Sequence, residues 1–350
     1  MTEPSPPFDA AKQPHRRFNP LLRDWILVSP HRTQRPWQGQ VEPTTARSEV
    51  SYDPACYMCP GNKRSTGEQN PAYNTVFVFD NDFPALMPHG ETGRINDSGL
   101  LLAETETGIC RVLCFSPKHH LTLSMMEPAD IRAVIDCWAE QFLELGSNPK
   151  INYVQIFENR GAMMGASNPH PHCQIWSTAT IPNIPRTEQS CQADHLEKTG
   201  RCLLCDYFQI ERKAKTRIVA ENECFLGVVP YWAVWPFETM ILPARHVASM
   251  EQLNGTERNA LSDILKRLTT RYDNLFRTAF PYSMGFHQRP TDGVSHPEWH
   301  FHAHFFPPLL RSATVRKFMV GFELLGMPQR DITPETSAER LRAVPDSHHL

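Results

Sequence analysis

The sequence has neither a long apolar run nor a strong surplus of charge of one sign. Its 350 residues contain no stretch of the ~18 uninterrupted apolar residues that a membrane-spanning helix needs. The formal net charge is -3 and no long basic run is present, which argues against a dedicated nucleic-acid-binding protein. Residues 1–20 are polar and proline-rich and lack the apolar centre of a secretory signal. We therefore expect a cytoplasmic protein with no membrane or nucleic-acid partner.

A disulfide framework is not expected either, although the chain contains 10 cysteines. A reducing compartment keeps thiols free, so closely spaced cysteines are better examined as metal ligands. Hydrophobic residues at 40% and charged residues at 21% are ordinary for a globular protein, and the length suffices for one large domain or two of ordinary size. Composition thus favours a globular protein in which some cysteines hold a metal.

Two histidines alternate with prolines in the segment Pro169, His170, Pro171, His172. Prolines on both sides of His170 exclude a helix, because each proline lacks a donor and pushes the preceding residue into extended geometry. The two imidazoles are therefore expected on the same side of a strand-like backbone. An isolated pair of this kind is also compatible with ordinary surface or buried histidines, so the rest of the chain has to decide.

The same four landmarks occur twice in the same order. In the first half they are Cys56 with Cys59, then His119 near a proline, an apolar helix pattern from Pro128, and the strand of His170 and His172. The second half repeats them, in order, as Cys202 with Cys205, His246, a helix pattern from Leu261 to Leu275, and the strand of His300, His302 and His304. The segment after Trp176, through Pro182 and Pro185 to the polar residues around Thr187 and Glu188, is predicted to be an irregular connection between the halves. The order favours an internal duplication and an α+β fold, with antiparallel strands of both halves in a shared sheet and helices outside.

The first half offers Cys56, Cys59, His119 and His170 to one metal ion. Two thiolates and two imidazoles suit zinc, which accepts both ligand types in a closed tetrahedron. Four protein ligands leave no position for a substrate water, so the predicted zinc is structural. The alternative is that the cysteines are only small buried hydrophobic residues.

His172 remains without a metal to bind. A neutral imidazole can attack phosphorus when its other nitrogen donates to a backbone carbonyl. Groups suited to bind the phosphates of a diphosphate lie on the same strand, in the preceding loop and near the N-terminus; they are Gln174, Gly161, Gly165, Ser167, Arg32 and Arg35.

Long motifs resemble the galactose-1-phosphate uridylyltransferase family of the histidine-triad superfamily. They are residues 167–174, Cys56 to Gly61, Pro281 to Gly285, and residues 307–321, and the resemblance extends over roughly residues 17–345. It implies two histidine-triad-like halves in a half-barrel sheet. On this basis we predict a flexible arm at 1–17, an N-terminal half at 18–180 that carries the nucleophile, and a C-terminal half at 181–350 that carries the hexose-phosphate motif.

The resemblance implies a nucleotidyltransferase of galactose metabolism, in the Leloir pathway. His172 would attack UDP-glucose and release glucose 1-phosphate, and galactose 1-phosphate would then attack the uridylyl-histidine to give UDP-galactose. Gln174 and Ser167 match positions that hold phosphoryl oxygens. Arg32 and Arg35 match arginines that the family presents from the partner subunit, which implies a homodimer with a shared active site.

Further positions match substrate and metal contacts of the family. The substrate positions are Asn81 and Asp82 near the ribose, Asn159 at the phosphates, and Lys317, Val320, Phe322, Glu323 and Gln329 at the hexose 1-phosphate. The second metal site, filled by iron or zinc, matches Glu188, His287, His302 and His304.

The chain departs from the family pattern at several positions. Similar proteins commonly have tyrosine at Phe322, tryptophan at Phe286 and glycine at Gln288, and His300 stands where glutamine is usual. Cys202 and Cys205 are absent from the best-known relatives. They are interpreted as a vestige of the duplicated cysteine pair in preference to a working metal site.

Two other functions remain open. One is a different nucleotidyl transfer on the same scaffold, such as nucleotide phosphorolysis or adenylyl transfer, which the hexose-phosphate motif disfavours. The other is a zinc-stabilised nucleotide-binding or interaction module without turnover. The free His172 beside Gln174 disfavours that module.

Overall fold

The computed structural model describes residues 8–34, 50–90, 93–308, 310–312, 315–316 and 319–348. Its strands, in chain order, are β1 (His15–Asn19), β2 (Asp24–Val28), β3 (Phe77–Asp80), β4 (Arg94–Asp97), β5 (Leu101–Glu104), β6 (Gly108–Cys114), β7 (Tyr153–Arg160), β8 (His172–Thr178), β9 (Ile218–Glu221), β10 (Phe225–Val228), β11 (Thr239–Pro243), β12 (Tyr282–His287), β13 (His302–Phe306), β14 (Leu310–Ser312), β15 (Val315–Arg316) and β16 (Gln329–Arg330). The α-helices are α1 (Pro128–Gly146), α2 (Asn183–Thr199), α3 (Leu203–Ala214), α4 (Gly255–Phe276), α5 (Phe322–Leu325) and α6 (Pro334–Ala343).

Nine strands form one sheet in the order β3-β6-β8-β7-β12-β13-β11-β10-β9, and all neighbouring pairs are antiparallel. The central pair, β7 and β12, joins the two halves of the chain. Outward from that pair, β8, β6 and β3 on one side match β13, β11 and β10 on the other. The predicted α+β fold with a shared antiparallel sheet is confirmed, and its strand order has the symmetry that a duplication predicts.

Helices α1 and α4 pack against each other over one face of this sheet. Apolar side chains recur at helical spacing on α1, and those from Ile131 to Phe142 are buried as the sequence predicts. On α4 the buried stripe runs from Leu261 to Tyr272, and a capping box of Asn254 and Glu257 fixes its first turn. The largest hydrophobic core therefore lies between the helices and the sheet.

The opposite face of the sheet carries both cysteine pairs. Cys56 and Cys59 pack with residues of β3 and β6, and Cys202 at the start of α3 packs with residues of β10 and β11. Cys114 lies opposite His172 in the β6–β8 register, and Met240 lies opposite His304 in the β11–β13 register. Residues opposite each other in an antiparallel pair point to the same face. The histidines of both halves thus project away from α1 and α4, toward the cysteines.

Two segments that the sequence predicted to be irregular or flexible contain regular structure in part. The predicted connection from Trp176 to the residues around Glu188 is not simply irregular, because α2 occupies Asn183–Thr199 and buries Glu188. The predicted arm at 1–17 reaches into β1, which pairs with β2, and its Arg17 is 2% exposed and forms an ion pair with Glu335. The polar composition of both segments gives no sign of regular structure, because residues distant in the sequence stabilise that structure.

The smaller sheets lie at the periphery. Strand β16 adds in parallel to β2, so residues near the C-terminus lie beside the segment that follows β2. Strands β4 and β5 form a separate hairpin whose residues are exposed. None of the helices in the described ranges is long and apolar enough to cross a lipid bilayer.

Candidate active site and metal clusters

The first cluster brings together the four residues that the sequence assigned to zinc. The ligand atoms of Cys56, Cys59, His119 and His170 lie within 4.8 Å of one another, and all four residues are buried. The Sγ atom of Cys59 lies 3.5 Å from Nδ1 of His119 and 3.5 Å from Nδ1 of His170. Burial and the neighbouring His119 lower the pKa of His170 to about 4, so its imidazole is neutral and able to bind a metal.

Surrounding polar groups orient these donors. Nε2 of His170 donates to the backbone oxygen of Ser116 at 2.9 Å, which leaves Nδ1 as the donor atom toward the cysteines. The amide of Asn168 donates to Sγ of Cys56 at 3.4 Å, while its oxygen accepts from the backbone of His170 at 2.9 Å. The donor set, its burial and its outer hydrogen bonds fit a tetrahedral metal ion.

His172 begins strand β8 directly after this cluster. Its Nδ1 donates to the backbone oxygen of His170 at 2.7 Å, and among the described residues no group hydrogen-bonds its Nε2. Burial lowers the pKa of His172, opposed by the hydrogen bond to the His170 carbonyl. The imidazole is therefore neutral near pH 7, with a fixed tautomer and a lone pair on Nε2.

A cavity borders His172. Its lining combines residues of β7, the following loop and β8; they are Asn159, Gly165, Ala166, Ser167, His172, Cys173 and Gln174. Gln174 lies on the same side of β8 as His172, and its Oε1 accepts a hydrogen bond of 2.9 Å from Nε1 of Trp176. This contact leaves the amide NH₂ of Gln174 as the free end, a donor suited to a phosphate oxygen.

The loop between β7 and β8 depends on two glycines with left-handed backbone. Gly161 has φ 85° and Gly165 has φ 79°, values that other residues rarely adopt. Across the seam of the two halves, Ser283 of β12 donates to Oδ1 of Asn159 at 2.6 Å. The sequence placed Ser283 in a motif but gave it no role, and only the β7–β12 register brings it opposite Asn159.

The second cluster is formed by α2, β12 and β13. Oε2 of Glu188 lies 2.8 Å from Nδ1 of His287 and 3.3 Å from Nε2 of His302, and Oε1 lies 3.7 Å from Nε2 of His304. Burial by itself raises the pKa of Glu188, but the imidazoles of His287 and His302 outweigh burial and hold it well below its usual range. Burial lowers the pKa of His304 to about 4.

Several nitrogen atoms of this second cluster have no hydrogen bond to any residue that the structure describes. They are Nε2 of His302 and both ring nitrogens of His304, all buried. Buried polar atoms without partners are costly, and a bound cation would satisfy those that face Glu188. The four ligand atoms lie within 4.8 Å of one another, so the residues fit a metal ion.

A third group of the same kind contains Cys202, Cys205, His246 and His300, whose ligand atoms also lie within 4.8 Å of one another. The sequence had suggested that the two cysteines are a vestige and had not joined His246 or His300 to them. Their counterparts in the first half, His119 and His170, were the signal that could have found them.

Four of the predicted substrate residues outside the cavity lie near β2 and β16 or after β3. Arg32, in the turn Pro30–Gln34, has its Nε 3.4 Å from Oδ1 of Asp331, and Gln329 donates to the same oxygen at 2.8 Å. Asn81 and Asp82 follow β3 at the sheet edge, where Asp82 accepts from the backbone of Ser65 at 3.2 Å.

The remaining predicted substrate residues surround α5 or lie outside the described ranges. Val320 is 59% exposed and Phe322 is 55% exposed, whereas Glu323 is buried against Arg330. Arg35 and Lys317 lie outside the described residues. Among the described residues, Arg32 and the α5 group do not line the His172 cavity.

Comparisons with known proteins cover nearly the whole chain. A family model described as Galactose-1-phosphate uridyl transferase, N-terminal domain, matches residues 5–182, and the model of the C-terminal domain matches residues 188–350. The galactose-1-phosphate uridylyltransferase of Haemophilus influenzae is 52% identical over 342 residues, covering 98% of this chain and 97% of the relative. That of Rattus norvegicus is 49% identical over 345 residues, covering 98% of this chain and 90% of the relative. A solved structure described as "Structure of uridylyltransferase" matches with a TM-score of 0.74 at 26% identity, covering 94% of this chain and 97% of that one. The chain belongs to the galactose-1-phosphate uridylyltransferase family.

Proposed function

We propose that this chain exchanges a uridylyl group between UDP-glucose and galactose 1-phosphate, a reaction of galactose metabolism in the Leloir pathway. Membership of the family and the names of relatives such as that of Haemophilus influenzae support the activity. The observation that carries the proposal is the hydrogen bond of 2.7 Å from Nδ1 of His172 to the His170 oxygen, which leaves Nε2 free beside a polar cavity.

The exchange proceeds in two steps with His172 as nucleophile. In the first step, the Nε2 lone pair forms a bond to the α-phosphorus of UDP-glucose, and the bond to the β-phosphate oxygen breaks to release glucose 1-phosphate. In the second, a phosphate oxygen of galactose 1-phosphate attacks the same phosphorus, and the N–P bond breaks to give UDP-galactose. The Nδ1 proton stays on the ring throughout, and the His170 oxygen stabilises the positive charge that the ring gains.

Polar groups of the cavity stabilise the phosphate charge. Gln174 donates through the amide that Trp176 leaves free, and Ser167 donates through its hydroxyl. Asn159, held by Ser283, directs its NH₂ to the phosphates. Arg32 and Arg35 supply positive charge for the diphosphate, from the partner subunit of a homodimer.

The nucleoside and the sugar lie on either side of these phosphates. Asn81 and Asp82 contact the ribose. The hexose 1-phosphate contacts are Lys317, Val320, Phe322, Glu323 and Gln329. The exposure of Phe322 and Val320 is compatible with surface that substrate and a second copy of the chain cover together. The hairpin of β4 and β5 adds exposed Ile95 and Leu101 to the surface available for that second copy.

Two metal ions complete the proposed enzyme. The ion held by Cys56, Cys59, His119 and His170 is zinc, and its chemistry is structural, since four protein donors leave no open position. The ion held by Glu188, His287, His302 and His304 is iron or zinc. All ten cysteines are unpaired with one another, which supports a reducing, cytoplasmic location.

Incubation with UDP-glucose alone tests the function. We expect one equivalent of glucose 1-phosphate per active site and an acid-labile uridylyl group on the intact protein, detected by mass spectrometry. His172→Gly should abolish the adduct, whereas His89→Gly, which changes an exposed histidine outside the clusters, should leave it unchanged. Absence of the adduct in the unmodified chain, or an undiminished adduct in His172→Gly, would refute the covalent mechanism.

Acceptor choice separates the remaining alternatives. The loaded protein should pass its uridylyl group to galactose 1-phosphate and much more slowly to inorganic phosphate. Rapid discharge to phosphate alone would instead identify a phosphorolysis, and binding of UDP-glucose without any discharge would identify a module without turnover.

A further inference from the structure

The third cluster, which contains Cys202, Cys205, His246 and His300, has no role in the uridylyl exchange proposed above. We propose that it binds a structural zinc ion, so that each half of the chain contains a zinc site made of two cysteines and two histidines. The proposal is independent of the transferase activity, because it concerns metal content and the order of the C-terminal half.

The spacing of the donor atoms suits zinc. Nδ1 of His300 lies 3.4 Å from Sγ of Cys202 and 3.3 Å from Sγ of Cys205. In a tetrahedral site with ordinary Zn–S and Zn–N bond lengths, sulfur and nitrogen donors are about 3.6 Å apart. In the first cluster, Cys59 lies 3.5 Å from each of its two histidines. The two clusters therefore share one geometry.

Both histidines of the third cluster are oriented as metal ligands usually are. Nε2 of His246 donates to the backbone oxygen of Trp299 at 2.8 Å, and Nε2 of His300 donates to the backbone oxygen of Pro243 at 3.2 Å. Each bond places the ring proton on Nε2 and leaves the lone pair on Nδ1. A backbone carbonyl behind a metal-binding histidine fixes its tautomer in this way.

Charge and coordination also favour zinc. Two thiolates balance the charge of Zn²⁺, and binding releases the two thiol protons to solvent. Cys202 caps α3 and its Sγ accepts from the backbone N–H of Cys205 at 3.4 Å, which adds the N-terminal field of the helix in support of a thiolate. Mixed thiolate and imidazole donors select zinc over magnesium or calcium, and the fourth donor closes the site.

The ion would tie three separate elements together. It joins the N-terminus of α3, the corner after β11 and the residue that leads into β13. The backbone oxygen of His300 accepts from Nδ1 of His302 at 2.8 Å, so the same residue that binds the zinc orients a member of the Glu188 cluster. Loss of the ion should therefore disturb the second metal as well.

Metal analysis of the full chain, purified under anaerobic conditions with a thiol reductant, tests the proposal. We expect the double variant Cys202→Ser/Cys205→Ser to lose at least one equivalent of zinc per chain relative to the unmodified protein. His246→Gln is the milder test because His246 is exposed, and it should release this zinc to a chelator at least about tenfold faster. Cys224→Ser changes a thiol outside all three clusters and should retain every ion.

Cobalt substitution gives a second measurement that identifies the ligands. Tetrahedral Co²⁺ with thiolate ligands has intense charge-transfer and d–d absorption, and the double variant should lose about half of the bands that the two similar clusters give. The proposal is overturned if the double variant retains the zinc content and cobalt spectrum of the unmodified chain. It is equally overturned if Cys202 and Cys205 form a disulfide in the anaerobically purified protein.

Discussion

The two halves of the molecule contain the same local structure with different outcomes. In the first half, Nδ1 of His172 donates to the His170 oxygen at 2.7 Å; in the second, Nδ1 of His302 donates to the His300 oxygen at 2.8 Å. In each half, the histidine whose oxygen accepts this hydrogen bond also belongs to a group of two cysteines and two histidines. Backbone and tautomer thus prepare both imidazoles to present Nε2 as a donor of electrons.

What differs is the surroundings of that nitrogen. Nε2 of His302 faces Glu188 at 3.3 Å, and α2 buries it completely, whereas His172 borders a cavity. Two residues further along each strand, the first half has Gln174 and the second has His304. A carboxylate and an additional imidazole place His302 in a candidate metal cluster, while a cavity and an amide leave His172 available for the nucleophilic role proposed above.

The largest difference between the halves is expected when His172 and His302 are each replaced by glutamine. His172→Gln should lower kcat/KM by about 10⁴-fold or more, because His172 supplies the only imidazole among the described residues that line the cavity. His302→Gln should lower the metal content instead and leave the uridylyl adduct on His172. Steady-state kinetics and metal analysis of both variants check this. An adduct on His302 in either protein would contradict the division of roles.

The next largest effect is expected at Gln174, where the second half has His304. Gln174→Ala should lower kcat by about 10² to 10³-fold, because it removes a donor to the phosphate oxygen. Trp176→Phe removes the N–H that holds Oε1 of Gln174 but leaves the Gln174 amide in place, so it should have a smaller effect in the same direction. Single-turnover rates of uridylyl transfer measure both. A change in KM alone would show that Gln174 acts only in substrate binding.

The first metal cluster should contribute mainly to stability. Cys59→Ser should lower the zinc content and decrease the free energy of unfolding by roughly 3 kcal/mol, because the thiolate ligand that lies beside both histidines of the cluster is lost. Denaturant unfolding with metal analysis is the measurement. Cys110→Ser, a buried thiol outside the clusters, is the matched control. Equal destabilisation by both variants would mean that packing, and not a metal, explains the loss.

A smaller effect is expected at the seam of the halves. Burial raises the pKa of Glu158 to about 7 despite nearby Arg160, and Tyr282 of the second half donates to it at 3.1 Å. The folded state therefore holds a proton that the unfolded state has lost between the ordinary pKa of 4.5 and about 7.

Raising the pH through that window should thus reduce the free energy of unfolding. The reduction attributable to Glu158 between pH 5 and pH 8 should be about 2 kcal/mol. Glu158→Gln keeps an oxygen for Tyr282 but cannot ionise, so its stability should fall less over the same range. Parallel pH profiles of the two proteins would contradict a raised pKa at Glu158.

Much of the local structure could be predicted from residue patterns. Apolar spacing predicted α1 and α4, and the prolines around His170 predicted extended backbone leading into β8. The repeated landmarks predicted a duplication, and the symmetric strand order agrees with it. In the first cluster, two closely spaced cysteines and two histidines that recur in the same order in both halves were enough to predict the four ligands, because zinc prefers thiolate and imidazole donors.

Residue patterns did not predict the structure that depends on contacts between distant segments. Helix α2 has a polar sequence and was taken for a connection, since its order depends on Glu188 packed among histidines about a hundred residues away. The third cluster was likewise not assembled from the sequence, because His246 and His300 lie far from Cys202 in the chain and only the sheet brings them together.

The sequence by itself determined the order of the chemical groups in each half: a pair of cysteines, then a histidine near a proline, then two histidines two residues apart on a strand. The fold decided which of the two second histidines borders a cavity. The β7–β12 pairing aligns the halves, a cavity lies beside His172, and α2 places a carboxylate against His302. The physical reason is that an imidazole lone pair attacks phosphorus only where a substrate can reach it, and access is a property of packing between distant segments.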